Sequence, residues 1–208
     1  YSGNGHGCSA RICADDTEYE SALGQNTGGS VLDYEKGIRD EMEERLGTFR
    51  GKRLQPGHCT VFPNMSWLPN LTARIWHPRG PFHTEVWAFA VVDKLASDEI
   101  KHEKLLNYLR MFGPSGTHEQ DDMDNWGQST RSGRSMVGKL IPQDISMGIS
   151  HETTEPRLPG VVAPNAFSEI NQRGLYRQWE KMMNSDSWAG ISIDPISAQF
   201  EGSATFRG

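Results

Sequence analysis

The clearest pattern of apolar and polar positions lies at residues 83–93, which read HTEVWAFAVVD. Apolar side chains occupy both alternating sets of this stretch, so both faces of a strand here would be apolar. The pattern predicts a central strand with other elements packed on each side. Shorter strands are predicted at the end of residues 1–14, at 57–64 and at 71–76. The last of these should stop at the turn His77-Pro-Arg-Gly-Pro, because proline fixes the chain there.

Apolar residues at helical spacing predict three helices. The first covers residues 33–46 and ends near Gly47. The second follows Ser97, a good N-cap residue. Its predicted buried stripe consists of Ile100, Leu105, Leu106, Leu109 and Phe112. The third covers residues 166–184. Its predicted inward side chains are Ile170, Leu175, Trp179, Met182 and Met183.

Polar stretches connect these elements. Residues 15–30 and 127–164 are predicted as loops, the second with one strand near Ile145–Ile149, and the residues after Trp188 as a loose tail. The order of strands and helices predicts an α+β fold, with a mainly antiparallel sheet and helices packed on it.

Composition narrows the class of protein. The chain has 208 residues, of which 36% are hydrophobic and 23% charged, as in an ordinary soluble globular protein of one domain or slightly more. The net charge of −6 and the lack of a Lys/Arg stripe argue against nucleic acid as the main partner. No apolar run approaches the roughly 18 residues of a membrane span.

The three cysteines are Cys8, Cys13 and Cys59. Their number is odd and no two form a CxxC pair, so we expect neither a disulfide framework nor a zinc site. A reduced, cytoplasmic protein is the simplest expectation. The sequence begins at Tyr1, without methionine, which suggests a fragment.

The most distinctive chemistry lies in FGPSGTHEQDDMDNW, residues 112–126, which carries four acids: Glu119, Asp121, Asp122 and Asp124. A helix beginning after Gly116 would place Glu119, Asp122 and Trp126 on one face. A carboxylate pointing inward from this face would suit a metal or a proton-transfer site. The alternative is a solvated acidic first turn that stabilises the helix dipole. An EF-hand starting at Asp122 is excluded, because its ligand positions fall on Trp126 and Gly133.

Six stretches of the sequence carry a family resemblance. They are GHG at 5–7, HCTVFPNMSWLP at 58–69, RIWHPRGP at 74–81, EVWAFAVVD at 85–93, FGPSGTHEQDDMDNW at 112–126 and RGLYRQWEKMM at 173–183. In order and spacing they resemble the catalytic domain of the large (α) subunit of Rieske-type aromatic-ring-hydroxylating dioxygenases, and most of all the biphenyl and polycyclic-aromatic branch. The resemblance implies a helix-grip fold of the START type, with an antiparallel sheet around a hydrophobic cavity and a long C-terminal helix.

The resemblance also implies a mononuclear Fe(II) held by two histidines and one carboxylate. The carboxylate falls on Asp122, with Asp121 and Asn125 as neighbours that could orient it. The implied substrate-binding positions are His58, Leu68, Trp76, Phe112 and His118. Leu68 and Phe112 could equally be simple core residues. His118 departs from the aromatic residue often found at its position, which would make that end of the pocket narrower or more polar.

Other parts of the family pattern are missing from the sequence. The helix that carries both iron histidines and the Rieske domain with its [2Fe–2S] cluster have no counterpart, and the three cysteines cannot supply the cluster ligands. We therefore expect residues 1–190 to be a partial catalytic domain followed by the tail 191–208, inactive alone. The remaining histidines considered are not predicted to be iron ligands: His6, His77, His83 and His151.

For the parent protein, the resemblance implies O2-dependent cis-dihydroxylation of an aromatic hydrocarbon. Electrons would come from NAD(P)H through a reductase and a ferredoxin, and a small β subunit would complete an α3β3 assembly. Two other hypotheses remain open. One is a non-catalytic carrier that uses the same cavity for a hydrophobic ligand without iron. The other is a hydrolase that binds a divalent metal through the acidic cluster, although no nucleophile and base lie at productive spacing.

Overall fold

A computed structural model describes residues 1–24, 27, 29–68, 72–165 and 167–195 of the chain. The chain divides into two compact units. The first unit comprises Tyr1–Pro69 together with Ser146–Gly208, and the second unit comprises Asn70–Ile145. Both contain antiparallel strands and helices, so the predicted α+β class is confirmed. None of the helices in the described part of the chain has the length and hydropathy of a membrane span.

The strands of the first unit are β1 (Gly7–Ile12), β2 (Leu54–Val61) and β3 (Met65–Leu68). Both β1 and β3 pair with β2 in antiparallel register. The strand predicted at 57–64 is therefore present, but it begins three residues earlier and ends at Val61, before the Phe62-Pro63 turn.

The β1–β2 register overturns the prediction that the cysteines form no disulfide. Cys8 lies directly opposite Cys59 in the ladder, and their sulphur atoms are bonded. The prediction was wrong because it rested on spacing along the chain, whereas an antiparallel pair places residues far apart in sequence side by side. Cys13 is a free, buried thiol, and burial raises its pKa.

The helices of the first unit are α1 (Asp16–Gly24), α2 (Gly29–Gly37), α3 (Arg39–Thr48) and α6 (Ile170–Met183), and a π-helical turn, Phe49–Arg53, follows α3. The single helix predicted at 33–46 is two helices that meet at Ile38. Gly47 has φ +77° near the end of α3, a conformation that favours glycine. Residues 15–30, predicted as a loop, include α1, whose Tyr19 and Leu23 form a core cluster with Cys13.

Of the side chains predicted to face inward on the C-terminal helix α6, only Ile170 is buried. The buried residues of this helix are Ile170, Arg173, Gly174 and Gln178, whereas Trp179 is 52% and Met183 66% exposed. Arg173 is buried because it has partners: it donates to the Met147 carbonyl at 2.9 Å and pairs with Glu152 at 2.5 Å. Most of the predicted tail, residues 196–208, lies outside the described residues, but Asp194 pairs with Lys181 at 2.9 Å.

The second unit contains a β-hairpin, β4 (Thr72–Pro78) and β5 (Thr84–Ala90), followed by α4 (Asp98–Phe112) and α5 (Thr117–Arg134). The hairpin turn is closed by a bond from the Arg79 amide to the His83 carbonyl at 2.9 Å. Ser97 caps α4 as predicted, since its side chain accepts a hydrogen bond from the Ile100 amide at 3.3 Å.

Several expectations for this part of the chain were wrong. Trp87 is 49% and Phe89 48% exposed, so one face of β5 is not covered by the described residues and the strand is not central. The buried face of α4 consists of Ile100, Lys104, Tyr108 and Phe112, while Leu105 and Leu109 are 40% and 45% exposed. Helix α5 extends into the predicted loop as far as Arg134, and no strand forms at residues 145–149.

Candidate functional site: an aromatic cavity in the second unit

A cavity of about 1030 Å³ that is partly open to solvent lies in the second unit, between the β4–β5 hairpin and the helices α4 and α5. Its volume is at the upper end of what small-molecule sites in proteins usually offer. The residues that line it are Trp76, Gly80, Pro81, Phe82, His83, Thr84, Val86, Ala88, Tyr108, Phe112, Pro114, Glu119, Met123, Trp126, Gly127, Thr130, Arg131 and Arg134.

One face of the hairpin forms a wall of this cavity. Trp76 lies opposite Val86 in the antiparallel register, and Thr84 and Ala88 follow on the same side of β5 because successive side chains point to opposite faces. The other face carries His77 and Trp87, whose rings are 4.9 Å apart. The alternation of β5 therefore divides its side chains between the cavity and the opposite surface.

Helix α5 forms a second wall along its whole length. Its lining residues recur at intervals of three and four positions, from Glu119 near the first turn to Arg134 at the end, as one helix face requires. At 1.5 Å per residue this face is about 22 Å long. It changes in character along the helix, from an acid through Met123 and Trp126 to the two arginines.

Aromatic side chains give the cavity its apolar part. The rings of Trp76 and Trp126 meet edge to face, with centroids 4.9 Å apart and planes at 78°. Phe112, at the end of α4, is 7% exposed and contributes a third ring. Aromatic rings favour such edge-to-face contacts, and walls of this kind suit a planar aromatic ligand.

A buried ion pair closes one end of this wall. Arg74 on β4 pairs with Glu119 on α5, and the two side chains are only 5% and 8% exposed. The Arg74 guanidinium also lies over the Phe112 ring, 5.0 Å from its centroid. Among the described residues, the Arg74 Nε has no hydrogen-bond partner. The pair ties the hairpin to α5 beside the aromatic walls.

Burial raises the pKa of Glu119 above the usual value for a glutamate; Arg74 opposes this shift and the nearby Asp122 adds to it. Burial likewise raises the pKa of Tyr108, where Arg74 opposes the shift and Glu119 adds to it. The buried carboxyl group of α5 therefore binds its proton more tightly than a solvated glutamate would.

The four acids of residues 112–126 differ in burial as the predicted helix face requires. Glu119 is the buried one, at 6% exposure. Asp122 is half-buried and follows Glu119 by three positions, whereas Asp121 and Asp124 are exposed. Asn125 is also exposed. The hydrophobicity of the sequence did not indicate that Glu119 is buried. The signal for its burial was its place on the predicted helix face with Asp122 and Trp126.

Only some of the predicted substrate-binding residues line the cavity. Trp76 and Phe112 line the cavity. The exposed His118 is not a lining residue, but its ring lies 5.4 Å from that of Phe112. Leu68, in β3, is 6% exposed, and His58, in β2, is exposed. Both belong to the first unit.

The donor set for iron is incomplete. No group of three histidine, cysteine, aspartate or glutamate side chains within the described ranges is placed to hold a metal ion. A facial triad needs two histidines and a carboxylate. Asp122 can supply one ligand only, so the described residues do not fit a mononuclear iron site by themselves.

Comparison with known proteins shows the family of this chain. Residues 13–185 match the family described as "Ring hydroxylating alpha subunit (catalytic domain)". The chain belongs to this family. The matched range includes the hairpin and both helices that form the cavity, so the aromatic walls and Asp122 lie within the ring-hydroxylating catalytic domain.

Relatives of this ring-hydroxylating domain agree with the match. The chain is 42% identical to biphenyl 2,3-dioxygenase subunit alpha of Rhodococcus jostii over 155 residues, which are 73% of this chain and 34% of the relative. It is 42% identical to benzene 1,2-dioxygenase subunit alpha of Pseudomonas putida over 169 residues, which are 79% and 38%. It therefore spans about a third of the length of the curated relatives that it matches.

Solved structures of the family share the fold. A naphthalene 1,2-dioxygenase with indole bound in its active site matches with a TM-score of 0.70 at 28% identity, over 77% of this chain and 36% of the other. The predicted resemblance to ring-hydroxylating α subunits is confirmed.

Proposed function

We propose that this chain is part of the catalytic domain of an aromatic-ring-hydroxylating dioxygenase, and that the cavity of the second unit holds the ring of an aromatic hydrocarbon. The parent reaction adds both atoms of O2 to that ring and gives a cis-dihydrodiol. In this proposal Asp122 is the carboxylate ligand of the iron. Trp76 and Phe112 position the substrate, together with Trp126.

The observation that carries the proposal is the arrangement of α5. Asp122 and Trp126 are four positions apart and thus neighbours on one helix face, and the Trp126 ring contacts the Trp76 ring in the cavity lining, with centroids 4.9 Å apart. Asp122 does not itself line the cavity; it is half-buried and precedes Met123, which does line it. The proposal therefore places the Asp122 carboxylate at the edge of the ring site.

The metal needs ligands beyond those described. Two histidines would come from sequence outside these 208 residues, and Asp121 and Asn125 would orient the carboxylate of Asp122. When bound, Fe(II) supplies the activation of O2. This chain's own residues bind and orient the ring, and the buried Arg74–Glu119 pair holds α5 against the hairpin.

The rest of the proposed system follows from the family. A Rieske [2Fe–2S] domain would deliver electrons that originate from NAD(P)H and pass through a reductase and a ferredoxin. A β subunit would complete an α3β3 oxygenase in the cytoplasm. The helix-grip arrangement and a long C-terminal helix belong to the same proposal, for which α6, of 14 residues, is the candidate.

A second candidate function is a carrier of hydrophobic ligands without iron. It is favoured by the incomplete donor set among the described residues and by a cavity that could bind an aromatic ligand without any metal. The two candidates differ in what Asp122 does: it is essential for the oxygenase and dispensable for the carrier.

The experiment uses a relative as a scaffold. The segment of the Rhodococcus jostii biphenyl 2,3-dioxygenase α subunit that aligns with this chain, 42% identical, is replaced by this chain, and dihydrodiol formation from biphenyl is measured with the relative's partner proteins. We expect activity in the hybrid and its loss in Asp122→Ala. The matched control is Asp124→Ala, since Asp124 is exposed on the same helix.

If the Asp122→Ala hybrid is soluble, contains iron and is as active as the unaltered hybrid, the assignment of Asp122 as the iron ligand is refuted. A hybrid that keeps both Asp122 and Asp124, binds biphenyl and forms no product would favour the carrier. Iron content, measured for each variant, separates loss of the metal from loss of the substrate site.

A further inference from the structure

The exposed end of the cavity is basic, in contrast to its buried aromatic end. Arg131 and Arg134 lie in the last turn of α5 and both line the cavity. His83 and Thr84, at the start of β5, line the same end. These side chains are exposed, whereas Phe112 and Tyr108 at the other end are buried. A ligand that fills the cavity would thus have one end in apolar surroundings and the other near two guanidinium groups.

The two arginines are available to a ligand. Within the described part of the chain, neither has a carboxylate within ion-pair distance, in contrast to Arg74, Arg79 and Arg173. Arg134 lies over the Phe82 ring at 4.1 Å, a cation–π contact that holds the guanidinium beside the cavity. Guanidinium groups bind carboxylates through paired hydrogen bonds.

The acids of α5 are placed at the opposite end of its cavity face. Glu119 and Asp122 precede Trp126, and the arginines follow it. Trp126 and Arg134 are eight residues apart, or about 12 Å along the axis at 1.5 Å per residue. Glu119 is already paired with Arg74, whereas the two arginines at the other end have no carboxylate partner among the described residues. An anionic group on a ligand would therefore be attracted to the basic end, which fixes the direction in which an elongated aromatic molecule enters.

We propose that the cavity accepts aromatic rings that carry a carboxylate, with the ring against Trp76 and Trp126 and the carboxylate on Arg131 and Arg134. This inference rests on the proposed function, because it uses the same cavity as the ring site, and it adds aromatic acids to the neutral hydrocarbons that the cavity would accept. Arg131 and Arg134 are then specificity-determining residues. In the last turn they also stabilise the helix dipole, a role that would not distinguish one ligand from another.

The test compares a neutral ring with its acid. Binding of naphthalene and of 2-naphthoate to the 208-residue chain is measured by calorimetry at neutral pH and low salt. We expect 2-naphthoate to bind at least ten times more tightly than naphthalene. In the double variant Arg131→Gln/Arg134→Gln this ratio should fall to near one, and added salt should lower it in the unaltered chain, since exposed charges are screened.

The control variant is Arg110→Gln, which removes an exposed arginine from α4 that does not line the cavity; it should keep the ratio of the unaltered chain. The proposal is overturned if naphthalene binds as tightly as 2-naphthoate, or if the double variant keeps the preference. In both of these cases naphthalene binding would leave the proposed function intact. If neither ligand binds, the proposed function and this inference fail together.

Discussion

Helices α5 and α6 each bury one charged side chain in an ion pair, but with different results. On α5, Glu119 pairs with Arg74 and the rest of the face lines a cavity. On α6, Arg173 pairs with Glu152, and the next residue, Gly174, allows the Tyr1 ring to approach so closely that an added Cβ would lie 2.1 Å from it. One helix face is left open for a ligand and the other is filled by the protein itself.

The difference lies in the small residues. Gly127, on the cavity face of α5, has open space around the position of a Cβ, with nothing within 4 Å. Gly174 has none. A buried ion pair can therefore anchor a helix in either setting, and the neighbouring side chains decide whether a cavity remains.

The largest effect should come from Glu119→Leu. The change leaves the buried Arg74 cation unpaired, and an arginine cannot release its charge by losing a proton. Breaking a buried pair in this way costs about 3–5 kcal/mol of unfolding free energy. Denaturant unfolding of the variant measures it. The control is Arg79→Met, which removes an exposed pair with Glu85 and should leave stability nearly unchanged; similar losses in both variants would contradict the account.

Arg74→Met should cost less than Glu119→Leu, and its cost should depend on pH. Burial already raises the pKa of Glu119, and Arg74 opposes that shift, so without Arg74 the folded-state pKa rises further. The loss of stability caused by Arg74→Met is therefore smallest below the pKa of an unfolded glutamate, about 4.3, and grows as the pH rises through the higher folded-state pKa. Unfolding free energies of the variant and of the unaltered chain, measured at acidic and neutral pH, check the sign; a difference between them that shrinks with rising pH would contradict it.

The two glycines give the smallest and most sharply opposed effects. Gly174→Ala forces a Cβ into the Tyr1 ring and should destabilise the chain by about 1–3 kcal/mol. Gly127→Ala meets no atom and should stabilise it by up to about 1 kcal/mol, because alanine is the better helix former. Thermal unfolding of both variants measures the difference. Equal shifts would mean that the two helix faces are packed alike.

Local signals predicted much of the second unit. Ser97 is a good cap and indeed accepts from the Ile100 amide, and a helix does begin after Gly116 with Glu119 and Asp122 on neighbouring positions of one face. The buried faces of α4 and α6 were predicted only in part. Ile100, Phe112 and Ile170 are buried as predicted, but Lys104 and Arg173 are buried in place of Leu105 and Trp179. For Arg173 the reason is its partners elsewhere in the fold, the Met147 carbonyl and Glu152.

The ion pair and the disulfide, which join residues far apart in the sequence, were not predicted for a similar reason. Arg74 and Glu119 are 45 residues apart, and Cys8 and Cys59 are 51 apart. Nothing in the spacing along the chain links either pair. Strand register brings the cysteines together, and the packing of α5 on the hairpin brings the ions together. The cavity itself depends on that packing, whereas two of its aromatic residues, Trp76 and Phe112, were among the positions implied by the family resemblance.

The most direct test of the account asks whether the cavity of the second unit binds an aromatic ring. Naphthalene binding is followed by calorimetry for the unaltered chain, for Trp126→Ala and for Trp188→Ala, whose indole in the first unit is 79% exposed. We predict one site in the unaltered chain, at least tenfold weaker binding in Trp126→Ala and unchanged binding in Trp188→Ala. Failure of the unaltered chain to bind, or equal binding by all three, would contradict the claim that this cavity is the substrate site.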